Sequence, residues 1–267
     1  MRIESWQELY NIISKLERNE WIYRGQVSSK WKLQSSLHRE IENFIKPSNN
    51  RGYVKIEQQM LKEYNRSSHL YSSYQVREPQ QGTTDISEVI NYTLERLSIM
   101  QHYGSPTRFL DWTYSPYIAT FFALDGAVDE FTIYALNIKE LEKYDVERFG
   151  LENYKHNQDR SFIDFSLPTN NFIFKYEPKQ QNERIRKQQG LFIVPSVINK
   201  SIDDILLDYS ITNGKLQNNN DVAIKLVFKK EVIKEFWNEL RKMNITQETI
   251  YPGFEGFCKS LKLNIFN

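Results

Sequence analysis

GSPTRFLDWTYSPYIATFFAL, residues 104–124, decides how this chain folds. Gly104 is a natural helix stop, because only glycine takes a left-handed C-terminal turn at no steric cost. Ser115 and Pro116 then read as the N-cap and first position of a new helix. TRFLDWT between them is extended, a strand that feeds the helix. Side chains alternate along a strand, so Asp111 and Thr113 share one face and Trp112 points to the other. The run IATFFAL is apolar enough to be core and carries no chemistry of its own. The helix start at Ser115 offers free N–H groups and partial positive charge, a candidate anion site.

Working outward, Ser5 and Glu8 form a capping box ahead of Trp6, Leu9, Ile13 and Leu16 at helical spacing, which predicts a helix over 6–17. WIYRGQ, residues 21–26, is a short strand stopping at Gly25. IKPSNNRG (45–52) is a turn-rich break, and residues 53–74 form a surface helix with a sparse apolar stripe. VREPQQGTTD (76–85) is a loop, followed by a helix with Ile86, Val89, Ile90, Leu94, Leu97 and Met100 on one face. FTIYALNI (131–138), SFIDFSL (161–167), NFIFKYE (171–177), LFIVPS (191–196) and DVAIKLVFK (221–229) favour strands. EVIKEFWNELRKM (231–243) is a helix with Val232, Phe236, Leu240 and Met243 on one side; a short helix, a turn at Pro252-Gly253 and a last helix close the chain. Helices lie mainly in the N-terminal half and strands in the second. That pattern argues for an α+β fold, the helices packed on a mixed or antiparallel sheet.

The totals exclude several classes. A chain of 267 residues buries a sizeable core without a staple. Cys258 is the single cysteine, so there is no internal disulfide and no cysteine-rich zinc site. The 35 basic and 34 acidic residues nearly cancel, which makes nucleic acid an unlikely partner while leaving room for a local basic patch. No apolar run is long enough for a membrane span, and no secretory leader is visible, so a cytoplasmic protein is expected. His38, His69, His102 and His156 have no metal-ligand spacing, and no metal is expected. Dinucleotide-fingerprint, P-loop, zincin and serine-hydrolase motifs are all missing.

Three constellations could carry chemistry. Arg24 ends the strand WIYRGQ beside Gly25, where a guanidinium can grip a phosphate bidentately or simply pair with a carboxylate. Gln101, His102 and Tyr103 end one helix just before Arg108, Asp111 and Thr113. These residues read either as a polar cleft or as a structural hub built on an Arg108–Asp111 pair. In NERIRKQQGLFIVPS (182–196), Arg184 and Arg186 share a face if extended, and Gln188 or Gln189 closes the polar part before a buried strand. Glutamine can hydrogen-bond a ribose or an amide but is a negligible base.

YRGQ at 23–26, QHYGSPTRFLDWTYSPYIATFFA at 101–123, RIRKQQGLFIV and YPGFEGF together resemble the FRG domain family, in that family's order and over roughly the whole chain. One domain over residues 1–267 is the expectation. The motif order also resembles Arg–Ser–Glu type ADP-ribosyltransferases. That likeness implies an ADP-ribosyltransferase-like cleft that takes NAD. Arg24, Thr113 and Gln189 would stand at the catalytic positions, and Arg24, Gln26, His102, Arg108, Asp111, Thr113 and Gln188 would bind the cofactor. Where those enzymes carry a catalytic glutamate, this chain offers Gln188 or Gln189. A neutral amide supplies a hydrogen bond but no negative charge for an oxocarbenium-like centre, so Asp111 or Glu255 would have to provide it.

Two readings of function follow from the resemblance. One is a nucleotide-binding protein that transfers or hydrolyses ADP-ribose from NAD. The other is a non-catalytic sensor or effector domain, of the prophage or anti-phage defence kind, that binds a nucleotide or a protein target. Substrate, acceptor and oligomeric state are not readable from the sequence.

Overall fold

The computed structural model describes residues 1–71, 76, 78–79, 85–150, 171–179, 183–213 and 222–261. Seven strands form one sheet: β1 (Arg2–Ile3), β2 (Trp21–Gln26), β3 (Leu110–Thr113), β4 (Phe131–Asn137), β5 (Ile173–Tyr176), β6 (Gly190–Pro195) and β7 (Ala223–Phe228). Their order across the sheet is β1-β7-β4-β2-β3-β6-β5, with β1 parallel to β7 and every other pairing antiparallel. The fold is mixed α and β. The strand expected over 161–167 lies outside the described residues, as does most of the loop expected over 76–85.

Eleven α-helices are present among the described residues. They are α1 (Trp6–Ile13), α2 (Ser36–Phe44), α3 (Asn50–Ser67), α4 (Ile86–His102), α5 (Pro116–Leu124), α6 (Ile138–Phe149), α7 (Glu183–Lys187), α8 (Ile202–Asn213), α9 (Ile233–Lys242), α10 (Gln247–Ile250) and α11 (Gly253–Ser260). They run through both halves of the chain, and β2 and β3 from the first half join the later strands in the same sheet. The helix α1 stops at Ile13 rather than 17, because Lys15 and Leu16 donate to Ile12 and Ile13 in a tightened last turn.

Helices cover both faces of the sheet. On one face Ile90, Leu94, Leu97 and Met100 of α4 pack with Ile22, Leu110, Trp112, Tyr134 and Leu136; Val89 is turned out. On the other, Ile118, Ala119, Phe121, Ala123 and Leu124 of α5, Leu9 of α1, and Phe236 and Leu240 of α9 pack on Tyr23, Phe131, Ile133, Ala135, Ile224 and Phe228. Met243 caps α9 and is exposed, not part of that face. The β4 strand is buried along its whole length, as a central strand between two helical layers must be.

Gly25 sets the approach of α5 to β2. A Cβ there would lie 1.9 Å from the Ala119 carbonyl oxygen and 2.6 Å from the Ala123 nitrogen. Only glycine lets the helix sit this close to the strand. Ser115 accepts from the Ile118 N–H and Pro116 occupies the first turn, so α5 begins where the local chemistry places it.

Candidate functional site

The β2 and β3 strands share one registered pair, Tyr23 with Thr113, and then part. Past that point the guanidinium of Arg24 takes over the bridging. Its Nη1 donates to the Asp111 carbonyl oxygen at 2.5 Å and lies 4.0 Å from the Asp111 carboxylate. The split opens into a cleft of about 810 Å³. Arg24, Gly25 and Gln26 of β2 line it, as do Asp111, Trp112 and Thr113 of β3, Gln101 and His102 at the end of α4, and Ala119 and Phe122 of α5. Arg184 and Gln188 contribute from α7 and the turn behind it, and the segment from Lys30 to Arg39 forms the remaining wall.

Charge is distributed unevenly here although the chain as a whole is balanced. Among the described residues, five cationic side chains line the cleft (Arg24, Lys30, Lys32, Arg39 and Arg184), against one carboxylate, Asp111. Burial is the main influence on Arg24 and holds its pKa below the ordinary arginine value; Asp111 opposes that and Arg39 reinforces it. His102 is likewise depressed, first by burial and then by Arg184, with Glu255 and Asp111 opposing, so its imidazole is neutral near pH 7. Arg24 Nε, Gln26 Oε1 and Trp112 Nε1 are buried without a hydrogen-bond partner. Each such atom costs about 1–3 kcal/mol when left unmet.

Asp111 is held in place. Gln101 Nε2 donates to its Oδ2 at 2.9 Å, and Gln101 Oε1 accepts from the hydroxyl of fully buried Thr107 at 2.6 Å. The Thr113 hydroxyl is spent on architecture, donating to the Gln188 carbonyl at 2.7 Å and accepting from the Ser115 N–H at 3.0 Å. Those bonds also close the N-terminus of α5. With Ser115 N–H and Ile118 N–H engaged and no N–H on Pro116, that helix start has fewer free donors than its sequence promises.

Of the residues singled out from sequence, Arg24, Gln26, His102, Asp111, Thr113 and Gln188 line the one cleft. Arg108 does not. It is 1% exposed and grips Glu57 of α3, with Nε 2.8 and 3.0 Å from the two carboxylate oxygens and Nη2 bonded to one of them. The expected Arg108–Asp111 pair is therefore replaced by Arg108–Glu57, and Asp111 stands in the open cleft. Gln189 is also displaced: its left-handed backbone (φ 46°) turns the side chain out to solvent, while its carbonyl accepts from Tyr114 N–H at 3.1 Å. Arg184 and Arg186 do not share an extended face, because the Glu183–Lys187 pair at 3.2 Å closes a helical turn that leaves Arg184 at the cleft and Arg186 exposed. Glu255 is salt-bridged to Lys259 at 2.7 Å, which holds its carboxyl below the usual range, and it does not line the cleft.

The wall formed by Lys30, Trp31, Lys32 and Arg39 was not anticipated. Its one signal is KWK a few residues after a strand: an aromatic ring between two lysines, with Trp31 left 57% exposed. No group of three or more potential metal ligands occurs among the described residues, and none of their helices is long and apolar enough to cross a membrane. Comparison with curated proteins and with solved structures returns no match. A family model does match, over the stretch that builds most of the cleft. Residues 19–131, which carry Arg24, Gln26, His102, Asp111 and Thr113, match the model of the FRG domain.

Proposed function

We propose that the cleft binds a nicotinamide dinucleotide, and that Asp111 supplies the negative charge for cleaving its glycosidic bond. The observation that carries this reading is the cation cluster around Arg24 at the split between β2 and β3. A planar guanidinium whose Nε has no protein partner suits a pyrophosphate, which it can meet with two parallel donors. The volume falls within the roughly 300–1,000 Å³ of small-molecule sites. Exposed Trp31 offers a stacking face for adenine, and neutral His102 and the Thr113–Gln188 turn are left for the nicotinamide riboside. Gln188 can donate to a ribose hydroxyl, but as an amide it cannot balance a developing oxocarbenium charge. Asp111 is the one carboxylate among the described residues of the cleft, and Gln101 orients it. The products would be nicotinamide and ADP-ribose, passed to water or to an acceptor.

A second reading, a non-catalytic nucleotide sensor, is favoured by the bonds Asp111 already makes to Gln101 and by its proximity to Arg24, which draw on the charge a reaction would need. Incubation with NAD, monitored for nicotinamide release and for labelled ADP-ribose on protein, separates the two. Release or transfer supports the enzyme; a thermal shift without turnover supports the sensor. No shift with NAD, ADP-ribose or NADP would end both.

A further inference from the structure

The cleft carries more positive charge than a plain dinucleotide can match. Lys32 is partly offset by Asp204 at 3.5 Å. Arg24, Lys30, Arg39 and Arg184 remain against Asp111, a surplus of about three. Among the described residues no carboxylate lies within ion-pair distance of Lys30, Arg39 or Arg184. Arg39 is fixed by its Nη1, which donates to the Gln34 carbonyl at 2.7 Å, and it stands close enough to Arg24 to depress that residue's pKa. Two guanidiniums repelling each other across a cleft are stabilised by an anion placed between or beside them.

The extra charge is also localised. Lys30, Lys32 and Arg39 belong to the same segment as Trp31, whereas Arg184 acts on His102. NAD brings two pyrophosphate charges and one positive nicotinamide. A phosphate monoester on the adenosine ribose adds about 1.5 to 2 negative charges, bringing the ligand near the cleft's surplus. An aromatic ring flanked by cations is the arrangement that meets a purine and a phosphate on its own ribose together.

Building on the dinucleotide reading, we infer that Lys30, Lys32 and Arg39 form a second anion subsite beside Trp31, and that the ligand is the 2′-phosphorylated dinucleotide, NADP, in preference to NAD. Titration calorimetry of the full chain with NADP, NAD and ATP tests this. NADP is expected to bind at least about tenfold more tightly than NAD, a difference of about 1.4 kcal/mol. In Arg39→Gln and Lys30→Gln, both substitutions of exposed side chains, the ratio of NADP to NAD affinity should fall toward one. Equal affinities in the unmodified protein, a ratio unchanged by both substitutions, or tighter binding of ATP than of NADP would each overturn the inference. Equal binding of NADP and NAD would leave the dinucleotide reading standing, whereas no binding of either would remove that reading as well.

Discussion

Arg24 reaches across the parting of β2 and β3 to donate to the backbone carbonyl of Asp111, so one side chain both closes the sheet and sets the polarity of the cleft. Where a ladder of backbone bonds would otherwise continue, the chain has placed a charged donor with further hydrogen-bonding capacity to spare. On the proposed reading, architecture and ligand recognition meet in the same residue.

Substituting that residue should separate the two roles. Arg24→Ala removes a charge-assisted bond and is expected to lower stability by about 1.5–3 kcal/mol. Arg24→Lys should recover part of this, since one ammonium donor can still reach the Asp111 carbonyl. Neither variant should keep the thermal shift given by a pyrophosphate ligand, because lysine cannot offer the bidentate fork. Urea unfolding and a ligand-shift assay measure the two effects. A full ligand shift in Arg24→Lys would show that the fork is not what binds.

The Arg108–Glu57 pair is expected to act on stability and not on the cleft. It is buried and ties α3 to the chain entering β3. Removing one partner strands the other's charge, at about 3–5 kcal/mol, whereas replacing both with apolar residues of similar volume is often neutral. Arg108→Met should therefore unfold at much lower denaturant than the double variant Glu57→Met/Arg108→Met. The double variant should retain ligand binding, and its loss would place Arg108 in the recognition machinery after all.

Sequence pattern identifies β2, β3, α4 and α5 of the cleft because each is locally specified, but not α2 or the helical turn that carries Arg184. WIYRGQ is β2, running one residue past the expected stop at Gly25, and Ser115-Pro116 starts α5 with its own cap. What stays hidden depends on long-range partners. Glu57 lies 51 residues from Arg108 while Asp111 lies three away, so proximity in sequence suggests the wrong pair. Residues three apart in an extended chain face opposite sides, a hint that already weighs against Arg108–Asp111. Gln188 and Gln189 are indistinguishable until a positive φ at the second turns it outward. The α2 helix carries local signs of one, Ser35 as N-cap with Leu37, His38 and Ile41 on one face, but residues 36–44 stay unassigned from sequence alone. With it goes the KWK wall, which as sequence is only a solvated turn.

Acid should loosen the fold through His38. Burial against Tyr53 is the largest influence and holds its pKa below 6.5, outweighing Glu42, Asp204 and a Lys200 backbone bond, while Lys32 acts in the same direction as burial. The unfolded chain thus binds a proton more readily than the folded one. Stability should be level above about pH 6.5 and fall as pH drops through the window between 6.5 and the depressed folded value. His102 has the same sign, so His38→Gln should flatten the slope between pH 5 and 7 only in part. Urea midpoints at intervals across that range provide the check, and an unaltered slope in His38→Gln would place the acid sensitivity elsewhere.

Asp111 and Gln188 together decide between turnover and sensing. If Asp111 stabilises a developing positive charge, Asp111→Asn keeps the Gln101 contact and the cleft's shape but removes that charge. Nicotinamide release should then fall about 10²–10³-fold, the size of effect that single preorganised electrostatic groups have in other enzymes. Affinity for the dinucleotide should hold or rise, because a carboxylate in a cationic cleft repels phosphate. Gln188→Glu runs the other way: it puts a carboxylate on the turn bonded to Thr113, where a glutamate would serve an ADP-ribosyltransferase, and should raise release in the Asp111→Asn background. Single-turnover assays with saturating dinucleotide keep the chemical step apart from binding. Release that survives Asp111→Asn undiminished would take the charge-stabilising role from this residue, and a protein that binds but never releases nicotinamide, with or without Gln188→Glu, would be a sensor.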